Sequence, residues 1–141
     1  MNMNHLILLA ESGSDITPEL AEANGIVIVP MHVSFGGETR DDGSFPVPEM
    51  FEFYKKHREL PRTSGCTPHD FEVVFERLDR EYSEVPILYL AYSSSTTCSM
   101  QSALIAAQGR ENFLALDTKC VAAGQAAVVL TIARLLREHP E

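Results

Sequence analysis

Continuous apolar runs alternating with helix starts constrain this chain more than any other feature of its sequence. His5–Leu9, Ile26–Val29 and Pro86–Ala91 carry apolar residues at successive positions, the pattern of strands buried on both faces. Helix signals stand between them. Thr17-Pro18-Glu19 supplies an N-cap, a proline for the first helical position and an acid for the first turn, and Asn24-Gly25 supplies a left-handed stop. Thr67-Pro68-His69-Asp70 opens a helix that sets Phe71, Val74, Phe75, Leu78 and Tyr82 on one face. Further helices are predicted from Pro48 to about Arg58, from Ser99 to about Gln108, and over an alanine-rich final stretch to about Glu138. Phe113–Leu116 reads as a fourth strand.

Such alternation calls for an α/β fold: a three-layer α/β/α sandwich on a mainly parallel sheet of four or more strands. His32–Phe35 and Glu38–Arg40 flank Gly36-Gly37, which predicts a small β-hairpin inserted into that plan. Arg62–Cys66 reads as a polar loop. Val121–Leu136 is the most apolar stretch; interrupted by Gln125, Thr131 and Arg134, it is short for a bilayer span and reads as a buried helix. A chain of 141 residues is long enough for one ordinary domain and too short for two, so residues 1–141 are expected to form one.

Charge bounds the partners. A net charge of −9 argues against a nucleic-acid or anionic-membrane partner, because phosphate-rich surfaces recruit basic patches, and the short apolar stretch argues against membrane insertion. The first ten residues lack the basic region of a signal peptide. Cys66, Cys98 and Cys120 are widely spaced, without a Cys-x-x-Cys. Neither a disulfide framework nor a zinc site is indicated, no cofactor is expected, and a reducing, cytoplasmic compartment is the natural reading.

In an open α/β sheet, ligands bind beyond the carboxyl ends of the strands, where strand-to-helix loops gather. Glu11–Asp15, the Thr63-Ser64 segment, Ser93–Cys98 and Asp117–Cys120 are those loops here. Five consecutive hydroxyl residues, Ser93 to Thr97, stand between a buried strand and a helix start. First-turn amides of a helix lack internal partners and carry partial positive charge, so they bind anions, and adjacent hydroxyls add donors. The plainer reading is one capping serine and a solvated loop. Thr63-Ser64 alone reads as an ordinary turn ahead of the Thr67 cap.

Five segments, in order along nearly the whole chain, carry a family resemblance. They are Ala10–Ile16, Pro30–Asp42, Leu60–Phe71, Tyr92–Ala103 and Leu116–Lys119. Leu60-Pro-Arg-Thr-Ser-Gly and Tyr92-Ser-Ser-Ser-Thr-Thr-Cys-Ser-Met-Gln-Ser-Ala103 are the most specific. Together they resemble the DegV family of bacterial fatty-acid-binding proteins. The resemblance implies binding of a long-chain fatty acid without catalysis, and presentation of its carboxylate to a separate fatty-acid kinase. By position, the family's carboxylate donors fall on Thr63, Ser64 and Ser94, with Ser93 adjacent.

Three departures bear on this. Ser95 and Cys98 stand where the family has glycines, Ala10-Glu11 where it has Thr-Asp, and the sequence stops before the family's second domain, which covers the acyl chain. A homodimer or another partner covering the chain is therefore expected, unless this is an excised first domain. The charge balance agrees with a lipid. Burying a methylene contributes about 0.8 kcal/mol, so a long acyl chain offers up to roughly 10 kcal/mol against unfavourable long-range repulsion.

Other readings remain open at this stage. One is a phosphate ester or other small anion on the same helix terminus, although the chain lacks the Lys-Ser/Thr phosphate loop. Another is a regulatory module with a vestigial lipid site. A serine hydrolase is disfavoured because the Gly-x-Ser-x-Gly elbow is absent and none of the five histidines is tied to the loop. Asp15, Asp41, Asp42 and Asp117 could ligate magnesium but read as turn or capping residues. Cys98 could be a redox sensor, but with no resolving partner it reads as filler for a glycine position.

Overall fold

A computed structural model describes residues 6–82 and 84–139. His5, predicted to begin the first strand, lies outside the described residues. Strands β1 (Ile7–Glu11), β2 (Ile26–Val29), β6 (Ile87–Ala91) and β7 (Phe113–Asp117) form a parallel sheet in the order β2-β1-β6-β7. Helices α1 (Pro18–Asn24) and α5 (Ala123–Glu138) cover one face, α3 (Pro68–Glu81) and α4 (Ser99–Ala106) the other. Alternate residues of β1 explain the three layers. Ile7 and Leu9 join Phe71, Phe75, Tyr89 and Ala103 in one core, while Leu8 and Ala10 join Ile16, Ala21, Val129 and Ala133 in the other. Each fully buried large side chain contributes about 1.5–3 kcal/mol.

Between β2 and α3 the chain builds a second, antiparallel sheet from β3 (His32–Phe35), β4 (Glu38–Asp41) and β5 (Arg62–Ser64), ordered β4-β3-β5. Gly36 and Gly37, at φ 63° and 81°, make the tight turn, which pairs Phe35 with Glu38. β5 corrects the sequence reading of Arg62–Cys66 as loop. Its residues lack an apolar alternation, and their extended state comes from pairing with β3, Val33 opposite Thr63 and His32 opposite Ser64. Helix α2 (Val47–His57) buries no residue, although its Phe53 packs on Phe35 at 5.5 Å. The expectation for the last helix also needs correction. Only the stripe Gln125, Val129, Ala133 of α5 is buried, while Leu135 and Leu136 stay exposed because α5 lies on the sheet along one side only.

Thr67 caps α3 through a reciprocal box with Asp70, whose carboxylate also accepts from His32 Nε2 at 2.8 Å. His32 Nδ1 faces Asp41 at 3.1 Å, so one imidazole ties the small sheet to α3. Burial alone would raise the Asp70 carboxyl, but donation from His32 and from Thr67 outweighs it and holds the group below the ordinary aspartate range. A depressed carboxyl contributes stability that is present above its unfolded pKa and is lost as pH falls through its folded pKa. Part of the acid unfolding below about pH 4 is therefore expected to vanish in Asp70→Asn, read by circular dichroism across an acid titration. An unchanged acid transition would remove the latch.

Candidate functional site

Strand order places the candidate loops. The chain steps from β1 outward to β2, then returns across β1 to β6, so the order reverses between β1 and β6. Beyond the carboxyl ends of two such strands the exit loops diverge and leave a crevice. Glu11 and the short 3-10 turn Ser12–Ser14 leave β1 there, and Tyr92–Cys98 leaves β6.

The hydroxyl loop is a tight, internally bonded turn. Ser93 C=O accepts from the Thr96 amide at 3.0 Å, the Thr97 amide at 3.3 Å and the Thr96 hydroxyl at 2.9 Å. The Ser93 amide donates to Cys120 C=O at 3.0 Å, linking the loop to the exit of β7. Ser94 donates from its hydroxyl to Asp117 at 2.5 Å and from its amide at 3.4 Å. At the start of α4 the N-cap, Cys98, supplies no side-chain acceptor; Thr97 Oγ1 accepts from the Ser99 amide at 3.3 Å instead. Three of the five hydroxyls thus shape the loop. Among the described residues, those of Ser93 and Ser95 make no hydrogen bond.

The Thr63-Ser64 segment reaches the same place. Ser99 Oγ accepts from the Cys66 amide at 3.0 Å, and a Cβ added to Gly65 would lie 2.2 Å from Thr97 Oγ1 and 2.7 Å from Ser99 Oγ. Glycine is required at this joint because the two segments touch through it. Of the sequence-predicted residues, Thr63, Ser64 and Ser94 are exposed and Ser93 is buried. Thr63, Ser64 and Ser94 thus lie on open surface. Two cavities, about 650 Å³ beside Asp79 and Arg110 and about 520 Å³ between Phe35, Arg40, Phe53 and His57, include none of the four.

Asp117 sets the electrostatics at the rim. Donation from the Ser94 hydroxyl, then from the Lys119 amide at 2.8 Å, holds its carboxyl below the usual aspartate range. Nearby in sequence, Leu116 is 46% exposed on the opposite face of β7 and Val121, next to Cys120, is 44% exposed. Leu60, ahead of β5, is 76% exposed. Asp15 occupies the left-handed position that ends the 3-10 turn, and Asp41 pairs with His32. Among the described residues, no histidine hydrogen-bonds to the loop.

Sequence reasoning missed the group beneath the loop. Glu11 is fully buried, and its carboxylate accepts from the Tyr89 hydroxyl, from the Tyr92 amide at 3.1 Å to each oxygen, and from Gln125 Nε2 at 2.7 Å. Gln125 Nε2 also donates to Leu90 C=O at 2.8 Å, while its buried Oε1 has no partner. Burial raises the Glu11 carboxyl above the ordinary glutamate range against the pull of these donors. The signal was there: an acid closing a continuous apolar strand, and Gln125 among the polar residues that interrupt the most apolar stretch.

The comparisons agree with this architecture. A family model described as "Uncharacterised protein, DegV family" matches residues 5–139. A DegV domain-containing protein of Caldanaerobacter subterraneus is 31% identical over 140 residues, 96% of this chain and 49% of its own length. One from Deinococcus radiodurans is 31% identical over 136 residues, 94% of this chain and 47% of its own. Among solved structures, a Thermus thermophilus DegV family protein, described by its fatty acid binding, has a TM-score of 0.84 at 28% identity, over 96% of this chain and 48% of that one. Bacillus subtilis DegV, described as a fatty acid binding protein, shares the fold with a TM-score of 0.82 at 24% identity, over 96% of this chain and 49% of that one. The chain spans about half the length of these relatives. Over residues 5–139 it belongs to the DegV family.

Proposed function

We propose that this protein binds, without catalysis, a long-chain fatty acid whose carboxylate is held by Thr63, Ser64, Ser93 and Ser94 and by the first-turn amides of α4. One observation carries the reading: two hydroxyl-bearing segments distant in sequence meet through Gly65 at the start of α4, against Thr97 and Ser99. Neutral donors suit a head group that must approach a chain of net charge −9, and the acyl tail supplies the affinity. The exposed side chains of Leu60, Leu116 and Val121 offer that tail apolar surface, with a second copy or another partner as its cover. Because Thr63, Ser64 and Ser94 are exposed, the head group stays within reach of a modifying enzyme such as a fatty-acid kinase in the cytoplasm.

Organic extraction of the purified protein followed by mass spectrometry is expected to release a fatty acid. A phosphate ester in the extract would replace this reading with the small-anion one, and an empty extract would favour a regulatory module. Thr63→Ala and Ser94→Ala should each weaken hexadecanoate binding by about fivefold, the worth of one hydrogen bond, with folding intact. Unchanged affinity in both removes the site. Asp117→Asn should act in the opposite direction. It frees the Ser94 hydroxyl and removes a rim charge while keeping an acceptor for the Lys119 amide, tightening binding by up to about tenfold.

A further inference from the structure

Glu11 is a buried carboxylate directly behind the hydroxyl loop, and every titratable group around it is an acid. Tyr89 faces it from β6, the Cys66 thiol beyond β5 feels its charge, and Asp117 stands at the end of β7. Helix α5 contributes only the neutral Gln125. Among the described residues, no Lys, Arg or His is paired with Glu11; Lys119, at the rim, acts on Asp117. The Tyr92 amide that both Glu11 oxygens hold belongs to the residue immediately before Ser93. An anion on the loop therefore lies within about a Debye length of this charge, with protein rather than water between them.

We propose that Glu11 is a positioning residue whose protonation is coupled to ligand binding: the head group of an anionic lipid settles on the Ser93–Thr97 loop as Glu11 takes up one proton from solvent. This rests on the site proposed above. Two carboxylates back the loop, and they are not equivalent. Asp117 is only half-buried and held ionised by its donors, whereas Glu11 is fully buried, where repulsion from an arriving anion is least screened. Glu11 is thus the group that gives up its charge. Both Glu11 oxygens hold the Tyr92 amide at 3.1 Å, and a protonated carboxyl is the weaker acceptor, so the loop's entry adjusts as the ligand seats. By reciprocity, a proton that favours the ligand is favoured by it to the same degree.

Hexadecanoate carrying carbon-13 at its carboxyl separates the ligand's infrared bands from those of the protein. On binding near neutral pH, the difference spectrum is expected to gain the band of an unlabelled, protonated, buried carboxyl. Affinity should rise by up to about tenfold per pH unit as pH falls through the coupled window, and Glu11→Gln should lose both the band and that share of the pH dependence. The wild-type spectrum stands alone should Glu11→Gln fail to fold. Binding without the carboxyl band overturns the coupling and leaves the site reading intact. A band that persists in folded Glu11→Gln assigns the proton elsewhere and also overturns it. Absence of hexadecanoate binding at every pH overturns the site reading, and the coupling with it.

Discussion

Tyr89→Ala is expected to lower the unfolding free energy by at least about 4 kcal/mol, and Tyr89→Phe by about 1.5–3 kcal/mol, both read from urea midpoints. The difference separates two roles of one side chain. Tyr89 is fully buried, edge-on to Phe71 at a centroid distance of 5.2 Å and stacked near Phe113 at 6.2 Å, so truncation opens a cavity at the centre of the larger core. Its hydroxyl donates to Glu11, and phenylalanine removes that donor from a buried carboxylate without opening the cavity. A domain of this size holds about 5–15 kcal/mol in all, so the alanine variant should lose a quarter or more of its stability. Parent-like stability of Tyr89→Phe would show that the phenol does not hold Glu11.

Gly65→Val is expected to cost about 3 kcal/mol and to reduce hexadecanoate affinity by at least about tenfold, because it pushes apart the two halves of the site. A side chain at Gly65 meets Thr97 Oγ1 and Ser99 Oγ inside van der Waals contact, and neither can withdraw without breaking the bonds that cap α4 and hold the Cys66 amide. Gly37 is the control. It has nothing within 4 Å and a φ of 81°, so Gly37→Ala meets only backbone strain of about 1 kcal/mol and should leave binding unchanged. Faster amide exchange at Cys66 in Gly65→Val would report the opened joint. Parent-like exchange and affinity would mean that the two segments are held together elsewhere.

The contrast between these two glycines shows where sequence reading ends. Gly36-Gly37 announces its turn locally, between two short runs of strand-formers. Nothing around Gly65 announces that Thr97 lies against it, because the contact spans more than thirty residues. The same holds for β5. Arg62-Thr63-Ser64 has no periodicity of its own and becomes a strand by pairing with β3. The hydroxyl positions Thr63, Ser64, Ser93 and Ser94 were legible as candidates, but not that Ser94 spends its hydrogen on Asp117.

Local chemistry in the chain decided the layered α/β plan, the parallel strands, the capped starts of α1 and α3 and the hairpin turn, because apolar runs and caps act over a few residues and need no distant partner. Tertiary structure alone decided which strands neighbour one another, that two hydroxyl segments touch through Gly65, and that Glu11 is buried beneath the entry of the Ser93–Thr97 loop. Those outcomes depend on through-space packing and desolvation, and a linear string of residues carries neither until the chain has closed on itself.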